Sequence, residues 1–353
     1  MNRAEQQSSV SEPPKREPMP VVVGKLQLSE EADSGARGLE THSSGITSSE
    51  ARAASELPVS AASEPAANPF GRLGAFYQRS YELGKGVHLE LGKRTLIMGI
   101  LNATPDSFSD GGRYHHVEAA VEHARTMVEE GADLIDIGGE STRPGFEPVS
   151  LEEELSRVLP VIRAVRQALP HVPISIDTYK AETARQALEA GAHIINDIWG
   201  LQHDSEMAAV AAAHGCPVII SHNRPARDYA DLVPDVLADL QRSIGIAESA
   251  GVAGSRIWLD PGIGFAKTYD DNLALMGQLS AITALGYPVL LGTSRKRFIR
   301  QTLNLPVDEL TEGTGATVAL GIAQGCQLVR VHDVAAMKRI ALMTDAILYH
   351  QGR

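Results

Sequence analysis

The sequence predicts a (β/α)8 TIM barrel, a fold in which eight parallel strands alternate with helices. Eight short apolar runs recur along the chain, and each is followed by a segment with helical periodicity. The runs are continuous rather than alternating, which indicates burial on both faces, as in parallel strands covered by helices. A doubly wound open sheet is the alternative, but it seldom has so many regular repeats. The predicted strands are 96–101, 133–137, 173–176, 193–195, 217–220, 256–259, 288–291 and 327–331.

The first 70 residues differ in composition from the rest of the chain. They are rich in Ser, Ala, Glu and Pro, so they cannot bury enough apolar surface to offset the entropy of ordering. We therefore expect residues 1–70 to be a disordered low-complexity tail and residues 71–353 to form the barrel domain. Within that domain, residues 75–93 predict a short hairpin that turns at Gly84, Lys85 and Gly86.

Glycines and capping residues mark the predicted helices. An apolar stripe from Val117 to Val128 predicts the first one. Ser150 and Glu153 have the spacing of a capping box at the start of the second, which Pro160 is expected to kink. A glycine stands before each of six apolar runs, where a helix C-cap in the left-handed region favours it. These are Gly131, Gly191, Gly215, Gly251, Gly286 and Gly325.

Charge and composition narrow the class of function. The net charge of −12 argues against a broad nucleic-acid-binding surface, although a locally basic pocket can still bind an anionic substrate. The two cysteines, Cys216 and Cys326, lie in apolar runs, which indicates buried thiols in a reducing compartment rather than a disulfide. We see no secretory signal and no apolar run of about 18 residues that would span a membrane. The sequence therefore predicts a cytoplasmic protein with small-molecule substrates.

Polar residues follow every predicted strand. In this barrel the catalytic side chains project from the carboxyl ends of the strands, so we expect these residues to converge on one mouth. Taken singly, each also has an ordinary explanation as a helix cap or turn residue. The residues are Asn102, Asp136, Asp177, Asn196, Asp197, His222, Asn223, Asp260, Ser294, Arg295, Lys296, Arg330 and His332.

This set divides by charge. Asp136, Asp177, Asn196 and Asp260 predict an acidic and amide floor, and buried carboxylates need hydrogen-bond donors. Because few basic residues lie on these strands, we expect the donors to come from a ligand. A guanidine-like edge with an amine and a ring N–H in one plane would pair with a carboxylate in two places, and pterins have such an edge.

The basic residues predict an anion site at the opposite end. Arg143, Lys296, Arg330 and His332 lie in loops or on the last two strands, where barrels often hold phosphate. Asn102 is a candidate ligand for Mg²⁺, since hard cations prefer oxygen ligands. No group of Cys and His residues in the sequence suggests zinc.

Seven ordered motifs resemble those of the dihydropteroate synthases of folate biosynthesis. They are GILNATPDSFSDGG at 99–112, IDIGGESTRPG at 135–145, ISIDTYK at 174–180, GAHIINDI at 191–198, LDPGIGFAK at 259–267, LLGTSRK at 290–296 and VRVHD at 329–333. The resemblance implies a transferase that joins p-aminobenzoate to 6-hydroxymethyl-7,8-dihydropterin pyrophosphate by a dissociative substitution. It also implies Mg²⁺, a homodimer and sensitivity to sulfonamides.

The resemblance also implies a role for each matching residue. It assigns catalysis to Asp177, Asp260, Lys296, Arg330 and His332. The pterin would contact Asp136, Asp177, Asn196, Asp260, Phe265 and Lys296. Pyrophosphate would contact Thr142, Arg143, Arg330 and His332, with the metal at Asn102. The p-aminobenzoate would contact Asp106, Ser107, Phe108, Pro144, Ser294 and Arg297.

Three positions depart from the family pattern. Ser221 stands where Met is frequent, Arg297 where Ser is frequent, and Arg300 where Gly is common. One interpretation is ordinary sequence drift at all three positions. The alternative hypothesis is that Arg297 pairs with the aminobenzoate carboxylate and alters sulfonamide binding.

Two other functions remain open from the sequence. A folate-dependent methyltransferase on the same barrel would share the pterin floor but would not need a pyrophosphate site. A non-catalytic pterin-binding paralogue would fit the departures at Ser221 and Arg297. For the homodimer, apolar residues between Met337 and Leu348 are the candidate surface, although this stripe fits the barrel-facing side of a helix equally well.

Overall fold

The structure is a computed structural model, and the residues it describes are 78–84, 86–104, 112–140 and 148–349, with the side chains of 112–115 left out. The predicted tail at 1–70 lies outside these residues. In the described part of the chain, no helix combines the length and the apolar character that crossing a bilayer requires.

An antiparallel hairpin precedes the barrel, as the sequence predicts. Strands β1 (Arg79–Glu82) and β2 (His88–Leu91) pair across a tight turn in which the Leu83 amide donates to the Val87 carbonyl at 2.9 Å. The hairpin packs against the end of the barrel interior. There the Trp258 indole N–H donates to the Tyr81 hydroxyl at 2.9 Å.

Eight parallel strands form the barrel, which confirms the predicted fold. Strand β3 pairs with β10 with Leu328 opposite Leu96, and a bridge between Leu259 and Val289 joins β8 to β9, so the described strands close into a ring. The open-sheet alternative is therefore wrong. The strands are β3 (Leu96–Asn102), β4 (Leu134–Gly138), β5 (Ile174–Asp177), β6 (Ile194–Asp197), β7 (Val218–Ser221), β8 (Ile257–Asp260), β9 (Leu290–Leu291) and β10 (Leu328–Val331).

Helices surround the ring. They are α1 (Gly112–Glu129), α2 (Leu151–Ala168), α3 (Ala181–Ala190), α4 (Met207–His214), α5 (Leu232–Ser249), α6 (Tyr269–Met276), α7 (Leu279–Thr283), α8 (Arg297–Leu303), α9 (Thr311–Ala323) and α10 (Val334–Leu348). The Ser150 hydroxyl accepts from the Glu153 amide at 3.2 Å, as predicted, but the Glu153 carboxylate pairs with Arg157. Helix α2 runs through Pro160 as a single element. All six predicted capping glycines have positive φ.

The strands bury two separate apolar layers. Outward residues such as Ile135 and Leu259 pack against the helices. Inward residues fill the end of the barrel nearest the hairpin, and they include Met98, Leu134, Ile194, Ile219, Trp258, Leu290 and Leu328. Because side chains alternate along a strand, these inward residues fix which of the following residues also point into the barrel.

Candidate active site

A polar layer lies directly above the inward apolar layer. The residue two positions after an inward apolar residue also points inward, so Asp136 follows Leu134 on β4 and Asp260 follows Trp258 on β8. The polar layer consists of Asn102, Asp136, Ser175, Asp177, Asn196, Ser221, Asp260, Gly292 and Arg330. Sequence reasoning used the strand ends without this alternation, and it therefore missed Ser175 as a member of the site.

Arg330 lies at the centre of the polar layer. Its Nε donates to Asp136 Oδ2 at 2.6 Å, and its Nη2 donates to Asp177 Oδ2 at 2.6 Å. Asp136 also accepts from the Ser175 hydroxyl and from Asn196 Nδ2, the latter at 3.2 Å. The expectation that the carboxylates take their donors from a ligand is therefore wrong for Asp136. The interior of an eight-stranded barrel is narrow enough for Arg330 on β10 to reach across it to β4 and β5.

Burial acts on the charge of both Asp177 and Arg330. Burial raises the pKa of Asp177 to about 7, and the lowering effect of Arg330 is smaller than this desolvation. Burial opposes the charge of Arg330, but Asp136 and Asp177 together hold its pKa above the usual value. The guanidinium thus stays charged, and the pKa of Asp177 lies close to neutral pH.

Several polar atoms of this layer have no hydrogen-bond partner among the described residues. They are Asp177 Oδ1, Asn196 Oδ1 and Ser221 Oγ, and all three side chains are at most 5% exposed. A buried polar atom without a partner is unfavourable, and such atoms in a native site indicate a ligand that completes them. The carboxylate and amide oxygens accept only, so they call for N–H donors.

The turn after β8 carries the next part of the site. Asp260 Oδ1 accepts from the Gly262 amide at 2.7 Å, and burial raises the pKa of Asp260. Gly262 has a φ of +65°, and a Cβ there would lie 1.8 Å from the His222 carbonyl oxygen. No other residue fits this turn, because both the left-handed conformation and the close approach exclude a side chain.

Lys296 approaches the same turn from the loop after β9. Its ammonium donates to the Ile263 carbonyl and lies 4.5 Å from the centre of the Phe265 ring. Burial lowers the pKa of Lys296 to about 8, although Asp260 opposes the shift. Phe265 and Lys296, two of the predicted pterin contacts, therefore lie next to each other near Asp260.

A buried network that the sequence did not predict supports this turn from behind. Lys267 donates to the carbonyls of Gly262 at 3.0 Å and Phe265 at 3.1 Å, and it lies 2.8 Å from His222 Nδ1. His222 Nε2 lies 3.1 Å from Asp239 Oδ2 on α5. Burial lowers the pKa of Lys267 to about 7 and that of His222 to about 4. Neutral His222 thus accepts at Nδ1 and donates to Asp239, and it lies outside the polar layer despite its place at a strand end.

Hydrogen bonds connect the loop after β9 to the end of β10 at the carboxyl end of the barrel. The Ser294 hydroxyl accepts from the His332 amide at 3.1 Å and lies 3.0 Å from His332 Nδ1. Arg295 Nε donates to Asp333 Oδ2 at 3.0 Å, which ties the two motifs together. The resemblance places Ser294 on the aminobenzoate side, whereas the structure places its hydroxyl against His332.

Glu140, in the motif at 135–145, accepts hydrogen bonds from three residues. It accepts from Lys180 Nζ at 2.6 Å, from the Tyr179 hydroxyl at 2.8 Å and from the Val149 amide at 3.4 Å. Lys180 also donates to the buried Glu154 at 2.8 Å. Glu140 therefore connects the residues on both sides of 141–147, and only its position within the motif at 135–145 signalled a role in the sequence.

The remaining predicted residues divide into two groups. Asn102 is half-buried at the end of β3, and its side chain has no hydrogen-bond partner among the described residues; Arg297 is exposed at the first position of α8. The loop residues lie outside the described part of the chain; they are Asp106, Ser107, Phe108, Thr142, Arg143 and Pro144.

Asn102 fits magnesium in one specific way. Within the described residues, no group of three or more His, Cys, Asp or Glu side chains is arranged to hold a metal ion. Mg²⁺ needs no such group when it keeps several waters and takes oxygens from a substrate phosphate. A single amide oxygen at the mouth, as Asn102 provides, is compatible with that mode of binding.

Comparisons with known proteins agree with this site. The family model described as pterin binding enzyme matches residues 98–332. A dihydropteroate synthase of Bacillus subtilis is 60% identical over 74% of this chain and 91% of its own length, and one of Clostridium beijerinckii is 56% identical over 73% and 96%.

Solved structures match as well. The dihydropteroate synthase of Clostridium difficile, crystallised in the presence of pteroic acid, is 48% identical, covers 74% of this chain and 100% of its own, and has a TM-score of 0.72. The Xanthomonas albilineans enzyme in complex with 7,8-dihydropteroate is 41% identical over 75% and 98%, with a TM-score of 0.70. The family model covers most of the barrel, and the relatives are up to 60% identical over most of their own length. The chain therefore belongs to the family of pterin-binding enzymes, among the dihydropteroate synthases.

Proposed function

We propose that this chain condenses 6-hydroxymethyl-7,8-dihydropterin pyrophosphate with p-aminobenzoate, giving 7,8-dihydropteroate and pyrophosphate. The observation that carries the proposal is the polar layer, in which acceptor atoms of Asp177 and Asn196 are buried without a partner beside Asp260. The amine and ring N–H groups of a pterin supply the missing donors.

Two glycines lie beside the carboxylates of the polar layer. A Cβ on Gly292 would lie 3.7 Å from Asp260 Oδ2, and a Cβ on Gly138 would lie 3.4 Å from the Asp177 Cβ. The absence of side chains at these two positions keeps Asp260 and Asp177 accessible, which favours a planar ligand that contacts both.

The reaction needs charge stabilisation more than proton transfer. The bond between the pterin methylene and the pyrophosphate oxygen breaks, and the electron pair leaves with pyrophosphate. Asp177 and Asp260 stabilise the positive charge that develops on the pterin. The arylamine nitrogen then forms the new bond to the methylene and loses a proton, and because a neutral arylamine is already nucleophilic, positioning replaces a strong base.

Arg330 and His332 would stabilise the leaving anion. Arg330 uses two of its N–H groups on Asp136 and Asp177, and a guanidinium has about five, so the others can reach pyrophosphate. His332 is held by Ser294 at the same mouth. Mg²⁺ held through Asn102 would neutralise charge on the pyrophosphate oxygens.

A pyrophosphate-release assay tests the function against its two alternatives. We expect release only when pterin pyrophosphate and p-aminobenzoate are both present, with dihydropteroate as the second product. A methyltransferase would release no pyrophosphate, and a non-catalytic paralogue would bind pterin without turnover. Release that does not require the arylamine would contradict the proposal. Titrating Mg²⁺ with wild type and Asn102→Ala tests the metal site, since the variant should need a higher magnesium concentration for half-maximal rate.

Arg297 is a proposed contact for the carboxylate of p-aminobenzoate. It is exposed, follows Lys296 directly and has no partner among the described residues. An available guanidinium at this place would pair with a carboxylate more strongly than with the sulfonyl group of a sulfonamide. The KM for p-aminobenzoate should therefore rise in Arg297→Ser, so that a sulfonamide inhibits more strongly than in wild type at the same p-aminobenzoate concentration, with Arg300→Ser as the control. An unchanged KM for p-aminobenzoate together with unchanged inhibition in Arg297→Ser would rule out this role.

A homodimer is proposed from the outer surface of α9 and α10. In α10, Met337 and Ala341 are buried against the barrel, whereas Met343 and Ile347 are 62% and 60% exposed. Leu320 on α9 is 59% exposed. Exposed apolar side chains on two packed helices suit an interface between two copies. Met343→Glu should shift the mass measured by light scattering from dimer to monomer, and a monomeric wild type would contradict the proposal.

A further inference from the structure

Ser221 is a buried hydroxyl in the polar layer whose position the family pattern does not explain. It ends β7, lies opposite Asp260 in the strand register and is 2% exposed. It points inward because Ile219, two residues earlier, belongs to the inward apolar layer. Its Oγ has no hydrogen-bond partner among the described residues.

The neighbours of Ser221 are acceptors. Strand order places it between Asn196 on β6 and Asp260 on β8, and Asn196 Oδ1 has no partner either. Arg330 directs N–H groups to Asp136 and Asp177, and Lys296 directs one to the Ile263 carbonyl, whereas the Ser221 hydroxyl donates to none of the described residues. A hydroxyl differs from a carboxylate or amide oxygen because it can donate. Ser221 is therefore a donor that this side of the layer offers to a ligand.

We propose that Ser221 is a specificity-determining residue that donates a hydrogen bond to a ring nitrogen of the bound pterin. This inference rests on the proposed function. Along one edge of a 7,8-dihydropterin, the N8–H and the 2-amino group flank the acceptor nitrogen N1, so a ligand whose N–H groups on this edge face Asn196 and Asp260 presents an acceptor between them. The Ser221 hydroxyl lies between the same two residues in strand order, which matches that alternation.

Removing the hydroxyl should affect ligand binding and not the folded protein. In Ser221→Ala no bond within the described protein is lost, so the melting temperature of the free protein should stay the same or rise. The Kd of 6-hydroxymethyl-7,8-dihydropterin measured by calorimetry should rise about five-fold, the effect of one hydrogen bond. The KM for pterin pyrophosphate should rise similarly, while that for p-aminobenzoate stays constant. Ser221→Thr keeps a hydroxyl and should retain wild-type Kd.

Ser243→Ala is the matched control. Ser243 is a buried serine on α5 that accepts from Gln202 Nε2 at 3.0 Å, away from the polar layer. Its loss should lower the melting temperature and leave the pterin Kd unchanged. Equal Kd values for wild type and Ser221→Ala would overturn the role of Ser221 alone. A wild type that binds no pterin would overturn both this inference and the proposed function.

Discussion

At the hairpin end of the barrel interior, Trp258 packs among apolar side chains and its N–H is paired with Tyr81. Two residues further along the same strand, Asp260 points into a layer where buried polar atoms lack partners. In the apolar layer, the buried indole N–H has a hydrogen-bond partner. In the polar layer, buried acceptors and a hydroxyl remain available to a ligand. The difference shows that a strand can contribute to stability at one position and to binding at the next inward position.

This comparison predicts that substitutions in the two layers have opposite effects. In the polar layer they should reduce activity more than stability, and in the apolar layer they should reduce stability more than activity.

Arg330→Met should have the largest effect. It removes the shared partner of Asp136 and Asp177 and the charge proposed to receive pyrophosphate, so kcat/KM should fall on the order of 10³-fold. Arg330→Lys should restore little activity, because an ammonium cannot bond two carboxylates in the planar geometry of a guanidinium. Pyrophosphate release reports both results. Full activity in Arg330→Lys would show that charge alone is sufficient at this position.

The pH dependence should follow Asp177. Burial raises its pKa to about 7, so its protonated form predominates below that pH and kcat/KM should fall about ten-fold per unit as pH decreases. The folded state keeps this proton up to about pH 7, while the unfolded chain releases it near 3.8. Asp177 therefore contributes stability that is lost as pH rises across this window. Asp177→Asn should remove this part of the pH dependence from the free energy of unfolding, and an unchanged profile would contradict the assignment.

Lys267→Met should have an intermediate effect on binding. The carbonyls of Gly262 and Phe265 lose their shared donor, so the turn that carries Phe265 is held less firmly. We expect the KM for pterin pyrophosphate to rise about ten-fold with a smaller change in kcat. Lys338→Met is the control, since Lys338 contacts Asp133 at the opposite end of the barrel. A rise in KM in both variants would indicate general destabilisation instead.

Tyr81→Phe should have the smallest effect. It removes the acceptor of the Trp258 N–H and the donor to the Ser255 carbonyl, which should lower the free energy of unfolding by about 1 kcal/mol. Chemical denaturation measures this change. Steady-state kinetics of the folded variant should match wild type, and a lowered kcat would mean that the hairpin end communicates with the site.

The sequence predicted the barrel well because its signals are local. Continuous apolar runs located all eight strands to within about two residues, and the glycines before them have the expected positive φ. The site was predicted less completely, because the orientation of each strand-end residue depends on the alternation of side chains. Asp197, for example, accepts from the Trp199 and Leu201 amides and caps a turn, whereas the adjacent Asn196 points inward.

Contacts across the barrel could not be predicted from the sequence. Arg330 is separated from Asp136 by 194 residues, and only closure of the ring brings them together. Lys267 is similar, because its partner His222 lies on a different strand end and its role depends on burial. Such pairs form only when the chain folds. A sequence motif can therefore identify a functional residue but not the residue that it pairs with.

One parallel measurement tests the division between the two layers most directly. The Kd of 6-hydroxymethyl-7,8-dihydropterin and the free energy of unfolding would be measured for Asn196→Leu and Trp258→Leu. Asn196→Leu should weaken binding about 30-fold, since it removes a buried acceptor that has no partner among the described residues. It also removes the Asn196 donor to Asp136, but Asp136 keeps Arg330 and Ser175, so stability should fall by only about 1 kcal/mol. Trp258→Leu should lower stability on the order of 3 kcal/mol and leave the Kd near that of wild type. Equal effects of the two substitutions on binding would contradict the division of the barrel interior into a stabilising layer and a binding layer.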